Sequence, residues 1–383
     1  MGNHAFNFAG LYIHVPFCES ICPYCDFYSI VSPPETYEAY TGAIAVEADL
    51  RSKTNYGNYE YDTIFLGGGT PSVLNEFQLS RMFKSLRRNF KITSDAEITI
   101  ECNPSSLTEN KLRAYRDIGL NRISLGIQSF NSLHLKLLGR LHREREAIES
   151  IDLARKAGFH NLSIDLIYGH STQTLPEWLH DLETARQISP EHISAYNLII
   201  EPGTPYAEMY SKGILLPPPD DIQARMYHAI PTALNPGNYK RYEISNFAKV
   251  GYECRHNLKY WRNEPYLGLG PAAVSCDGRA RSKNAPDLKK YLNALSEEQM
   301  PECEIETLDR EKQIEERVMM RLRLADGLDL KELARDYEYN LLKAKQKTII
   351  TLSQNEFLKL SGDRLMLTDK SLFISNEIIL KLI

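Results

Sequence analysis

No apolar run in this chain approaches the roughly 20 residues that a membrane-spanning helix needs. Residues 1–10 also lack the basic stretch and apolar core of a secretory leader. The expectation is a chain that stays in the cytoplasm. A Met1-Gly2 start is compatible with myristoylation, yet Phe6 stands where that motif wants Ser or Thr, which argues against a lipid anchor. Charge of one sign is scarce too: the formal net charge is −5 and neither half is strongly basic, so the footprint of a nucleic-acid binder is missing. Small molecules or proteins are the expected partners. A disulfide framework is equally unsupported, because the 7 cysteines are odd in number and Cys18, Cys22 and Cys25 crowd one short stretch. Metal binding in a reducing compartment fits them better.

What the chain has is length and alternation. At 383 residues it exceeds what one compact core spans, so a large domain with a smaller companion is expected. Short β-branched or apolar runs at 11–15, 63–66, 97–100, 122–127, 162–167 and 193–198 read as strands. Helical patterns at 35–51, 76–88, 109–118, 145–157 and 176–188 lie between them, several ending at Gly. Six β/α units with nearly continuous apolar strands predict an α/β fold, an incomplete parallel (β/α)6 barrel covered on its outer face.

Residues 1–220 are expected to form this barrel. A linking segment, 221–304, follows the Pro217-Pro218-Pro219 break, and 305–383 is expected to form a smaller C-terminal α+β unit of winged-helix type, with a hairpin over 364–373. Lys343, Lys345 and Lys347 in that unit are balanced by Asp326, Asp329, Glu332 and Asp336, which reads as a solvated face rather than a DNA-binding one.

The polar residues that look chemical fall in a pattern on this scaffold. Cysteines follow strand one, Gly67-Gly68-Gly69-Thr70-Pro71 follows strand two, Glu101 ends strand three, Gln128 ends strand four and Asp165 lies in strand five. In parallel barrels the C-terminal strand ends converge on one face, so these residues are expected to surround one ligand. Cys18-Glu-Ser-Ile-Cys22-Pro-Tyr-Cys25 places three thiols on one loop. Thiolates are what cubane iron–sulfur clusters take, and three of them leave one iron open. Structural zinc is the alternative; it wants four closed ligands, and with no second C-x-x-C pair only distant Cys254 and His256 could complete such a set. Cys102, Cys276 and Cys303 read as buried small apolar residues.

Tyr12-Ile13-His14-Val15-Pro16-Phe17-Cys18 and the C-x3-C-x2-C loop resemble the radical S-adenosylmethionine (SAM) superfamily, and within it the oxygen-independent coproporphyrinogen III oxidase-like family. The resemblance extends through Phe65-Leu66-Gly67-Gly68-Gly69-Thr70-Pro71, Glu101-Cys102-Asn103-Pro104, Gly126-Ile127-Gln128-Ser129-Phe130 and Ile164-Asp165-Leu166-Ile167-Tyr168-Gly169. It implies a [4Fe-4S] cluster on Cys18, Cys22 and Cys25, with SAM chelating the open iron. It also implies SAM contacts from Gly68, Gly69, Thr70, Glu101, Gln128, Arg140 and Asp165, with Tyr12 and Tyr24 flanking cluster and adenine.

Two departures bear on function. The oxidase pattern continues to a fourth cysteine, where this chain has Phe27. Cys254-Arg255-His256-Asn257-Leu258-Lys259-Tyr260-Trp261 contains H-N-x-x-Y-W, which resembles the signature of the HemW haem chaperones. That resemblance implies haem as cargo, with His256 as an iron ligand and Asn257, Tyr260 and Trp261 beside the porphyrin. A hydrogen-bonded turn with Tyr260-Trp261 packed between domains is the bland reading of the same residues. The implied partners are haem-accepting proteins, membrane-bound respiratory proteins among them, and a homodimer is compatible. The alternative function is a radical SAM coproporphyrinogen III oxidase. One further departure is His170-Ser171-Thr172-Gln173-Thr174, where the family usually has Leu-Pro-Gly-Gln-Thr; His170 there is expected at the surface.

Overall fold

A computed structural model describes residues 7–383. The leader and myristoylation readings rest partly on residues 1–6, which lie outside the described residues. Six parallel strands run in chain order: β1 (Phe8–Val15), β2 (Glu60–Gly68), β3 (Lys91–Cys102), β4 (Arg122–Gln128), β5 (Leu162–Tyr168) and β6 (His192–Asn197). Each overlaps a sequence run; β1 begins three residues earlier at Phe8, β3 six earlier at Lys91, and β6 ends at Asn197, one residue short. Helix starts follow local chemistry: Asn75 and Thr174 cap the helices Glu76–Asn89 and Leu175–Ile188, each with a reciprocal bond from the residue three on.

Strand parity decides what each face does. Leu11, Ile13, Ile64, Leu66, Ile98, Ile100, Ile123, Leu125, Leu162, Ile164 and Ile193 point outward into one continuous core with the helices. The register therefore places the opposite set side by side within the barrel: Tyr12 beside Phe65, Thr63 beside Glu97, Thr99 beside Arg122, Glu101 beside Ser124, and Asp165 beside Ser194. The apolar runs are thus less continuous than the sequence suggested. Period-two polarity gives a barrel whose outside is apolar and whose lumen is polar. Tyr196, near the C-terminal end of β6 and beyond the residues His192–Ser194 that pair with Asn246–Ala248, is 40 % exposed.

Residues between 221 and 304 add strands to the same sheet. After β7 (Lys240–Arg241), β8 (Asn246–Ala248) pairs with β6, while β9 (Tyr266–Leu269) pairs parallel to β1. β10 (Val274–Cys276), β11 (Ala280–Asn284) and β12 (Glu302–Thr307) continue that edge, giving twelve strands that do not close. The helix Arg255–Arg262 spans the gap between the two edges near the strands' N-terminal ends. The C-terminal unit has its own core, built around Val318, Leu322, Leu333, Ile349, Leu365 and Ile378. Its sheet joins β13 (Leu328–Asp329), β14 (Leu358–Ser361) and β15 (Arg364–Leu367). The hairpin expected over 364–373 is therefore displaced: it turns at Gly362, whose φ of 58° suits glycine, and residues Asp369–Leu372 are helical. Among the described residues no helix is long and apolar enough to cross a membrane.

Candidate cluster and cofactor site at the barrel mouth

The cysteine loop leaves β1 and returns as a closed excursion. Phe17 bridges Ile30, and Cys18 N–H donates to Ile30 O at 3.0 Å. Cys18, Cys22 and Cys25 are all half-buried on it, and Cys25 N–H donates to Cys22 O at 3.1 Å. The glycine run sits beneath: a Cβ at Gly69 would stand 2.7 Å from Phe17 O and 3.0 Å from Cys18 Sγ, so only glycine fits there. Thr70 Oγ1 is 3.6 Å from Cys18 Sγ, and Arg140 Nη1 donates to Cys22 Sγ at 3.5 Å. Burial pushes the Cys18 and Cys25 thiols up, so ligation by a cation is what would hold them as thiolates. Among the described residues no three His, Cys, Asp or Glu side chains gather as tightly as a single metal ion needs. Thiolates that each bind a different iron of a cubane stand farther apart, so the donor set fits a cluster better than zinc.

Below the loop lie the other residues the sequence singled out. Glu101 is pushed up to about 8, first by burial and then by the nearby Asp165 charge, while Gly68 N–H holds it back. Asp165 is raised by burial and opposed by the Ser194 hydroxyl, the Arg122 charge and Ser124, whose Oγ donates at 3.2 Å. Gln128 adopts a left-handed backbone (φ 70°) at the end of β4, and Gly126 lies within close reach of both its amide and Arg140 Nη2. Arg140 donates to Asn103 Oδ1 at 2.5 Å and Gly126 O at 2.8 Å, leaving its buried Nε without a partner. Two half-buried carboxyls, an amide and a half-paired guanidinium suit the hydroxyl, ammonium and carboxylate groups of an amino-acid nucleoside. Tyr24 stays with the cysteine loop, edge-on to Tyr206 at 6.2 Å. Tyr12 instead stacks in the lumen on Phe65 at 6.3 Å and His256 at 6.4 Å.

The H-N-x-x-Y-W residues lie at the opposite end, as the barrel floor. His256 is 1 % exposed, with Nδ1 2.8 Å from the Thr63 hydroxyl and Nε2 2.9 Å from the Tyr260 hydroxyl. Its backbone N–H donates to Glu97 at 3.1 Å, and burial drives the imidazole down to about 3. Both ring nitrogens are hydrogen-bonded, to Thr63 and Tyr260. Tyr260 packs edge-on against Tyr266 at 4.7 Å, and Asn257 is half-buried one turn before it. Trp261 lies under the Arg323 guanidinium of the C-terminal unit at 5.8 Å. His170 is corrected too: it is 1 % exposed, edge-on to His134 at 4.3 Å, because Gly169 N–H donates to the Gln173 side chain and folds the loop inward.

Sequence reasoning missed Arg122, Glu97, Ser194, Asn103, His192 and Tyr242, which complete the lumen or its floor. The usable signal was parity: each polar residue inside a strand sits on the alternate register that the apolar residues vacate.

The sequence matches the Radical SAM superfamily over residues 12–185 and the HemN C-terminal domain over residues 308–374. It is 35% identical over 368 residues to the heme chaperone HemW of Bacillus subtilis (strain 168), covering 96% of this chain and 97% of that protein. It is 31% identical over 379 residues to HemW of Mycobacterium tuberculosis (strain ATCC 25618 / H37Rv), covering 97% and 93%. The fold superposes on coproporphyrinogen III oxidase (HemN) from Escherichia coli with a TM-score of 0.86 at 25% identity, covering 98% of this chain and 90% of that one. A radical SAM core, a HemN-type C-terminal unit and near-full-length identity to HemW proteins go together in one lineage, and this chain belongs to the HemW family of the radical SAM superfamily.

Proposed function

We propose that this chain is a haem chaperone that binds haem and passes it to acceptor haemoproteins. The observation that carries the reading is near-full-length identity to proteins named for that function, 96% of this chain in the Bacillus subtilis case. Phe27, where the oxidase pattern has its fourth cysteine, points the same way. Cys18, Cys22 and Cys25 would hold a [4Fe-4S] cluster, and Gly68, Gly69, Thr70, Glu101, Gln128, Arg140 and Asp165 would hold SAM beside it. When bound, these groups supply one-electron chemistry or a structural brace for cargo release. The chain's own residues contribute orientation: Arg140 ties the cysteine loop to Gly126 and Asn103, and Ser124 and Ser194 fix the Asp165 carboxyl. Cytoplasmic residence, membrane-bound respiratory acceptors and a homodimer belong to the same proposal.

The fold shared with coproporphyrinogen III oxidase keeps a second reading in view, a radical SAM enzyme acting on a porphyrinogen propionate. One experiment separates the two: haem titration of the anaerobically reconstituted chain beside a coproporphyrinogen III assay, with an authentic oxidase as control. The chaperone reading expects stoichiometric haem binding and no turnover. Protoporphyrinogen formation by this chain would overturn it.

A further inference from the structure

We infer that Arg122 is a carboxylate receptor inside the barrel and that the carboxylate it takes is a propionate of haem; this rests on the chaperone reading. Arg122 opens β4 and is 2 % exposed. Its Nε is buried without a partner, and its guanidinium makes no side-chain hydrogen bond and no ion pair among the described residues. A guanidinium carries five N–H donors and a permanent charge, so burying one is costly unless acceptors meet it. The two carboxylates whose charge reaches it are engaged elsewhere. Glu97 accepts from the backbone N–H groups of Arg255 at 3.2 Å and His256 at 3.1 Å and from Cys254 Sγ at 3.7 Å, and Asp165 accepts from Ser124 at 3.2 Å. Beside Arg122 across the ladder stands Thr99, whose buried Oγ1 is unpartnered as well. Unused donors on two neighbouring strands mark a place for an anionic acceptor.

The surrounding walls narrow the ligand. Exposure runs inward from the mouth: Tyr196 is 40 % exposed, and Glu101 and Asp165, both within reach of the Arg122 charge, are half-buried. Glu101 holds its proton up to about 8, so at neutral pH it does not repel an anion. In register with Thr99 on its other side is Phe65, stacked on His256 at 5.3 Å and on Tyr12 at 6.3 Å. A flat aromatic wall leading to an unpaired guanidinium suits an aromatic ligand with a carboxylate on a short flexible arm, which is what a haem propionate is. SAM carries a carboxylate too, but Arg140, which donates to Cys22 Sγ at 3.5 Å, is the guanidinium placed for it beside the cysteine loop. The same wall ends at His256, whose imidazole is held neutral by burial and by the Lys259 and Arg122 charges. Neutral imidazole is the form that ligates iron, so one guanidinium serves both ends of the ligand.

The test is a Soret titration of the full, anaerobically reconstituted chain with haem and with haem dimethyl ester, which keeps the macrocycle and iron but has no free carboxylate. The unmodified chain is expected to prefer the free acid by about tenfold or more. In Arg122→Gln that preference should fall to about twofold or less with iron per chain unchanged, and Arg122→Lys, which keeps the charge and loses the fork, should retain about threefold. Equal affinity of the unmodified chain for acid and ester would overturn the assignment, and that comparison needs no variant to fold. A preference that survives whole in Arg122→Gln would overturn it too, since a merely structural arginine would weaken both ligands alike. Equilibrium dialysis with SAM is the second arm: SAM affinity lost in Arg122→Gln with the haem preference intact would give the carboxylate to SAM, against the proposal. Failure of the unmodified chain to bind haem in either form would overturn the chaperone reading itself.

Discussion

The two ends of this barrel are built on opposite terms. At the floor, polar groups are paired with one another: His192 lies 2.8 Å from both Ser163 Oγ and the Tyr242 hydroxyl, and His256 is matched by Thr63 and Tyr260. At the mouth, Arg140 Nε lacks a partner, three thiols share a loop, burial and the Asp165 charge hold Glu101 up against the Gly68 N–H and the Arg122 charge, and apolar side chains stand open. A saturated network stabilises and fixes geometry, whereas an unsaturated one stores affinity for something not yet there. The motif that looked most like a ligand site in the sequence has its imidazole paired at both nitrogens, while its buried Trp261 Nε1 has no partner.

The largest expected effect would break the mouth alone. Cys22→Ser should take anaerobically reconstituted protein from about four irons per chain to almost none, because an alcohol replaces thiolate poorly, while circular dichroism and the thermal midpoint before reconstitution stay unchanged. Iron retained near four would remove Cys22 from the ligand set.

Next is the floor. His256→Ala removes two side-chain hydrogen bonds and leaves a cavity among Thr63, Phe65 and Tyr260, and should lower stability by about 2–4 kcal/mol in urea unfolding. Cluster content after reconstitution should remain that of the unmodified chain. A stability change near zero would show that the floor is not the structural plug described.

A smaller effect sharpens the mouth by pH. Glu101 rises from its ordinary 4.5 to about 8 on folding, so the native chain holds an extra proton between those values. Stability should then fall as pH rises from 4.5 through 8, because the folded state binds more protons there than the unfolded one. Glu101→Gln should flatten that fall and weaken SAM about tenfold in equilibrium dialysis. An unchanged pH slope would contradict the raised Glu101 carboxyl. Smallest of all, Arg323→Ala removes the cation over Trp261 and should cost about 1 kcal/mol, read as earlier hydrogen exchange in the C-terminal unit.

Much of this was legible in the sequence, for uneven reasons. The six strands declared themselves because Leu, Ile and Val recur on their outer face. Glu101 and Gln128 were readable as strand-end polar residues and Asp165 as a polar residue within strand five. The edge strands β7 to β11 were not, since runs of two to five residues with Lys, Arg and Ser carry little periodicity. His170 misled because only the fold, through the bond from Gly169 N–H to Gln173, turns its loop inward; the pairing of His256 with Thr63, 193 positions away, is likewise set by the fold.

The contrast between the ends can be tested in a single measurement, amide hydrogen exchange of the cluster-reconstituted chain with and without saturating SAM. The account predicts slowed exchange in residues 18–25, 67–70, 126–128 and 140 and no change in 255–262. Protection confined to the helix Arg255–Arg262, with the mouth unaltered, would contradict it.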